Sequence, residues 1–183
     1  MTDYSEKFEK MKIAGKLAAD TLDMLTENIK SGITTDFIDK LGYEFIRDNG
    51  GYSAPLYYRG FTKSLCTSLN HVVCHGIPSD RILSDGDAIN IDVTAVIDEH
   101  YGDTSRMFCI GKTPVKVNNL IDATYESMML AIRSLKPGLK LGDIGHTIQT
   151  FIEKCKISED SHGYISEEFY DLKINSSYKF FSG

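Results

Sequence analysis

A chain of 183 residues is long enough for one domain with a sizeable core. Its net charge of −6, with acids and bases interspersed, argues against a nucleic-acid backbone as the main partner. No stretch approaches the roughly 18–20 consecutive apolar residues that span a bilayer, and Met1-Thr2-Asp3-Tyr4-Ser5-Glu6 lacks the basic and apolar regions of a signal peptide, so a cytoplasmic chain is expected. Phe8, Met11, Ala14, Leu17, Ala18, Leu22 and Leu25 recur at helical spacing and predict an amphipathic, core-facing helix over about 5–29. Gly32 breaks it, Thr34 or Thr35 caps a second helix carried by Phe37, Leu41, Phe45 and Ile46, and Asn49-Gly50-Gly51 ends that one. After a loop rich in Tyr and Gly, strands are expected at about 64–73, 87–97 and 101–110, with a turn at Ser84-Asp85-Gly86-Asp87. Leu120, Thr124, Met128, Ala131 and Ile132 predict a third helix, broken by Pro137-Gly138, and Ile144, Ile148, Phe151 and Ile152 a fourth. Cys66, Cys74, Cys109 and Cys155 form no Cys-x-x-Cys pair, lie in mostly apolar contexts, and read as reduced, buried small hydrophobes.

Chemistry concentrates in the predicted hairpin. Ile89, Ile91 and Val93 alternate with Asn90, Asp92 and Thr94, so a strand there turns Asp92 away from its apolar face. The chain turns around Asp98-Glu99-His100, and an antiparallel return brings Asp103 nearly opposite Asp92, within one bulge of register. Each aspartate alone reads equally as a solvated acid near a turn. Held together they repel, unless a divalent cation with oxygen ligands lies between them. Upstream, Cys74-His75-Gly76-Ile77-Pro78 ends a β-prone run, placing His75 where a strand gives way to a loop. An imidazole there can donate to a substrate carbonyl, bind a metal, or simply be a satisfied surface group.

The run from Ser64 to Pro78, the Asn90-Ile91-Asp92-Val93-Thr94 strand and Tyr101-Gly102-Asp103-Thr104-Ser105-Arg106-Met107-Phe108, in this order and spacing, resemble type I methionine aminopeptidase, the bacterial and organellar form. The resemblance runs from about Glu6 to about Lys154 and includes the helix around Met11 to Ala19, Leu135-Lys136-Pro137-Gly138 and Gly142-Asp143-Ile144-Gly145. It implies a two-metal hydrolase that removes the initiator methionine from newly made polypeptides, working near the ribosome, with no membrane and no specific nucleic acid as partner. It further implies that Asp92 and Asp103 are metal ligands, Asp103 bridging both ions, and that His75 contacts the substrate beside them. Tyr58, Phe61 and Cys66 would line the methionine side-chain pocket, Phe61 where the family commonly has Tyr. The metals implied are cobalt, manganese, iron or zinc, among which ligand type alone does not choose.

The order helix, helix, strands, helix, helix predicts an α+β fold, an antiparallel sheet with helices on one face, and so half of the pita-bread fold that the resemblance implies. Residues 1–154 are expected to be an aminopeptidase-like N-terminal half-domain and 155–183 an unassigned, divergent tail, read as a truncated or frameshifted end. In full-length members a second half supplies a His and two Glu ligands. Here His162-Gly163 shares only two residues with the Gly-His-Gly-Ile-Gly motif that carries the third ligand. The competing readings are a non-catalytic relative that binds peptides or a partner, and an inactive fragment.

Overall fold

The computed structural model describes residues 4 to 155, so His162 and the rest of the tail lie outside the described residues. The chain divides into two compact units, Met1–Thr113 and Pro114–Gly183. The first holds α1 (Tyr4–Thr26), α2 (Thr35–Asp48) and a four-stranded antiparallel sheet of β1 (Tyr52–Ser53), β2 (Cys66–Leu69), β3 (Ala88–Ile97) and β4 (His100–Cys109). One edge of β3 pairs with both β1 and β2, and its other edge pairs along its full length with β4.

Period-two alternation decides which face of β3 is dry. Ile89, Ile91, Val93 and Ala95 are fully buried against Leu17, Ala18, Leu22 and Leu25 of α1 and Ile38 and Ile46 of α2, whereas Asn90, Asp92 and Thr94 stay partly open on the other face. α1 comes down so tightly on β4 that a Cβ at Gly102 would lie 2.1 Å from the Ala14 carbonyl oxygen, and only glycine fits there. The helix begins beyond the end of the sheet, where Glu6 and Lys10 stand near the hairpin turn at Asp98, Glu99 and His100. Phe8 and Met11, expected in the core, are therefore 58% and 50% exposed.

Thr34 caps α2, accepting a hydrogen bond from the Phe37 N–H at 3.1 Å. One turn on, the buried Asp39 accepts from the Ser64 and Leu65 N–H groups at 2.7 and 2.9 Å and so pins the start of β2. β2 is shorter than the expected 64–73 because Asn70, with φ 52°, turns the chain out of the sheet. The second unit contributes α3 (Val115–Ser134) and α4 (Leu141–Lys154), which share a small core of Ala123, Phe151 and Cys155. Its buried stripe on α3 is Ala123, Ser127 and Ala131, so Met128 and Ile132, expected inside, are 44% and 51% exposed. Of the cysteines, Cys66 and Cys155 are buried as expected, but Cys74 and Cys109 are exposed, one in a loop and one at the end of β4. Among the described residues no helix is long and apolar enough to cross a membrane.

Candidate active site

The polar face of β3 and β4 opens into a cavity of about 830 Å³, and all six residues singled out from the sequence, Tyr58, Phe61, Cys66, His75, Asp92 and Asp103, line it. Strand register explains most of this convergence. Asp92 of β3 stands directly opposite Cys66 of β2, and Asp103 of β4 stands opposite Thr94 of β3. The two aspartates are thus diagonal neighbours rather than facing ones. No bulge intervenes, because the tight turn at Asp98 and Glu99, with φ 47° and 62°, keeps the hairpin in unbroken register from Ile97–His100 to Ala88–Cys109. Both side chains nonetheless turn into the same cavity. The two carboxyls are close enough to share a hydrogen bond, and the Thr94 hydroxyl donates to Asp103 Oδ1 at 3.2 Å.

Burial, and after it the neighbouring Asp103 charge, push the Asp92 carboxyl above the usual carboxylate range, while His75 pulls it the other way. Burial, reinforced by the charge of Asp92, pushes the Cys66 thiol up to about 11, so at neutral pH this sulfur is a protonated, apolar wall of the cavity.

His75 reaches the cavity through a strained loop. Its φ is 55°, left-handed for a residue with a Cβ, and the next residue, Gly76, lies so close to β2 that a Cβ would sit 2.2 Å from the Thr67 carbonyl oxygen. Two hydrogen bonds hold the loop there: the Thr67 N–H donates to the Gly76 carbonyl at 2.8 Å, and the Gly76 N–H donates to Ser68 Oγ at 3.1 Å. The opposite wall is the loop over 54–61. The Ala54 N–H roots it on β3 by donating to the Thr94 carbonyl at 2.9 Å, and it closes on itself where the Tyr57 N–H meets the Phe61 carbonyl at 2.7 Å.

The cavity also takes in Tyr52, Ile77, Thr94 and Tyr101, which sequence reasoning did not assign to the site. Thr94 and Tyr101 each lie two residues from an aspartate on the same strand, so the alternation that selected Asp92 also selects them. Nothing local marks Tyr52 or Ile77. Among the described residues, no group of three or more His, Cys, Asp or Glu side chains converges as a ligand set. The acid pair nevertheless fits a cation, since positive charge between Asp92 and Asp103 relieves both the burial cost at Asp92 and the repulsion it feels from Asp103.

This sheet and its helices have the architecture of part of a pita-bread fold. The structure matches the crystal structure of methionine aminopeptidase from Rickettsia prowazekii with a TM-score of 0.81 and 51% identity, over 82% of this chain and 60% of that one. More particularly, the sequence pattern of metallopeptidase family M24 matches residues 9–174, and the chain belongs to that family. That match extends past Lys154, where the recognisable motifs end. A methionine aminopeptidase of Rickettsia prowazekii (strain Madrid E) is 49% identical over 172 residues, covering 92% of this chain and 66% of its own length. One of Escherichia coli (strain K12) is 46% identical over 150 residues, covering 81% of this chain and 57% of its own. The chain thus spans less than two thirds of the length of either relative.

Proposed function

We propose that this chain carries the carboxylate half of a methionine aminopeptidase site, acting in the cytoplasm near the ribosome on the N-termini of new polypeptides that begin with Met. The observation that supports the reading most is the diagonal contact of Asp92 and Asp103 on the floor of a cavity walled by Tyr58, Phe61 and Cys66. Asp92 and Asp103 would hold divalent metal, two ions in a complete site, drawn from cobalt, manganese, iron or zinc. When bound, such ions supply Lewis acidity and a water of lowered pKa. The chain's own residues do the rest. Tyr58 and Phe61 offer aromatic surface and Cys66 a protonated, polarizable sulfur, a lining suited to an unbranched thioether side chain. Thr94 holds Asp103 in one rotamer. His75, fixed by its left-handed backbone, donates toward the scissile carbonyl as charge develops on that oxygen.

The test is a chimera in which residues 1–154 replace the matching part of the Rickettsia prowazekii relative. It should release methionine from a Met-Ala-Ser peptide, and Asp103→Asn should abolish both release and metal retention. Ordinary activity and metal content in that variant would refute the assignment. The rival reading, a binding module without catalysis, draws on the absence of a third converging ligand among the described residues, and predicts a chimera that is folded but inert.

A further inference from the structure

Backbone strain concentrates in the loop over 54–61, the cavity wall that carries Tyr58 and Phe61. Tyr57 and Arg59 have φ 67° and 49°, left-handed conformations that are costly for residues with a Cβ. The loop's own hydrogen bonds hold them there: the Tyr58 N–H donates to the Pro55 carbonyl at 2.9 Å, and the Phe61 N–H to the Tyr58 carbonyl at 3.0 Å. The strain places one side chain in particular. Arg59 joins the cavity lining, its guanidinium 5.4 Å over the Tyr58 ring. Apart from His75 it is the only basic side chain lining the cavity among the described residues, and none of their carboxylates lies within ion-pair distance of it. Charge in the cavity is thus divided, with Asp92 and Asp103 on the floor and a guanidinium on the wall. We propose that Arg59 is a specificity-determining residue that receives an acidic side chain at the third position of the peptide substrate. The inference rests on the aminopeptidase reading above.

The position follows from strand geometry. That reading sets the substrate's first side chain against Tyr58, Phe61 and Cys66, with the scissile carbonyl beside the aspartates and His75. In an extended peptide alternate side chains share a face, about 6.6 Å apart, so the third returns to the same wall one step further out. The second and fourth point away from it. Arg59 lies between Tyr58 and Phe61 on this wall, and its long stem spans such a step. The chemistry follows from the guanidinium, whose planar fork matches a carboxylate through two parallel hydrogen bonds. Stacking over Tyr58 steadies that plane before the substrate arrives, so less side-chain freedom is lost on binding. The aspartates repel an acid that strays to the floor and keep it at the wall. A basic third residue meets like charge there.

C-terminally amidated peptides, which carry no competing terminal carboxylate, test this in the chimera. There kcat/KM for Met-Ala-Glu-Ser should exceed that for Met-Ala-Gln-Ser about fivefold, the scale of a partly solvated ion pair. Met-Ala-Ser-Glu and Met-Ala-Ser-Gln, whose fourth residue faces away, should differ by less than about twofold. Arg59→Gln should bring the first ratio to about one, Arg59→Lys should retain part of it, and Arg59→Glu should turn the preference toward Met-Ala-Lys-Ser. A merely structural role for Arg59 does not reverse a charge preference. Salt at about 0.5 M should shrink the parent's ratio and leave that of Arg59→Gln unmoved. Versions with the Met–Ala amide replaced by a methyleneamine resist hydrolysis, so calorimetry reads the same preference as dissociation constants whether or not the chimera turns over. A chimera that cleaves none of the peptides refutes the aminopeptidase reading, and Arg59 is then judged on those constants alone. A Glu preference that survives Arg59→Gln overturns the proposal. So does an equal preference at the fourth position, or none at all, as when an acid from the relative's remaining length pairs with Arg59.

Discussion

Asp39 shows how one buried acid can position a site it never touches. It accepts the Ser64 and Leu65 N–H groups where β2 begins, and two residues later Cys66 stands opposite Asp92. Burial pushes its carboxyl above the ordinary 3.8, against the pull of the Leu65 and Ser64 N–H groups. Ionisation is therefore harder in the folded chain than in the unfolded one. The stability linked to this group is fully present below the ordinary value and is lost as pH rises through the raised folded-state value. Asp39→Asn keeps a carbonyl acceptor and removes the titration, so its stability relative to the parent should improve as pH rises from about 3 to about 6. Asp39→Ala leaves two buried N–H groups unpaired and should cost about 1–3 kcal/mol for each. Urea melts across that pH range distinguish the three chains, and parallel pH slopes for parent and Asp39→Asn would show that Asp39 does not carry the linkage. His75 is the second residue whose geometry commits it. In the chimera, His75→Ala should lower kcat by about 10²-fold or more with metal content unchanged, the scale of losing one donor to a developing oxyanion. Undiminished turnover would remove it from the chemistry.

At the scale of elements, the hairpin and the helix ends were legible because they rest on local rules. Alternation placed Asp92 on the open face, and Thr34 and Asn49 bounded α2 through their own hydrogen bonds. The diagonal offset of Asp92 and Asp103 was not legible in detail, since it depends on whether two or three residues make the turn, and the left-handed backbone of Asp98 and Glu99 decides that. Phe8 and Met11 were misplaced for a different reason. Helical periodicity reports which side of α1 is apolar but not how far the sheet extends beneath it. Tyr52 and Ile77 reach the cavity from segments remote in sequence and carry no local mark. The tightest element contact, α1 on β4, is testable at Gly102. Alanine there would drive a Cβ into the Ala14 carbonyl, and because both partners are backbone the helix itself must shift. Overpacking of this kind typically costs about 1–3 kcal/mol or more. Gly15→Ala, with nothing within 4 Å of the added methyl, should instead be neutral or mildly stabilising. Equal melting midpoints for Gly102→Ala and the parent would contradict the close packing.

For the whole molecule the question is how much chemistry this set of residues supports alone. Hard divalent ions usually take about six oxygen or nitrogen ligands, and exchangeable water is a poor substitute for fixed protein donors. Among the described residues, Asp92 and Asp103 meet in the cavity, and no group of three or more possible ligands converges. Two carboxylates fix part of a coordination shell. Protons compete with metal at Asp92 at higher pH than at an ordinary carboxylate, because burial and the neighbouring Asp103 charge raise it. The 183-residue chain should therefore bind manganese or cobalt weakly, with a dissociation constant of about 10⁻⁴ M or more, and should fail to release methionine from Met-Ala-Ser. The chimera with the relative's remaining length should do both efficiently. Calorimetric titration and a peptide assay on the two proteins side by side check this, with Asp103→Asn in each as the control for binding at this site. Robust release by the 183-residue chain itself would mean that its residues past Cys155, His162, Glu167 and Glu168 foremost by their chemistry, complete the ligand set, and the partition of the site between two halves would have to be redrawn.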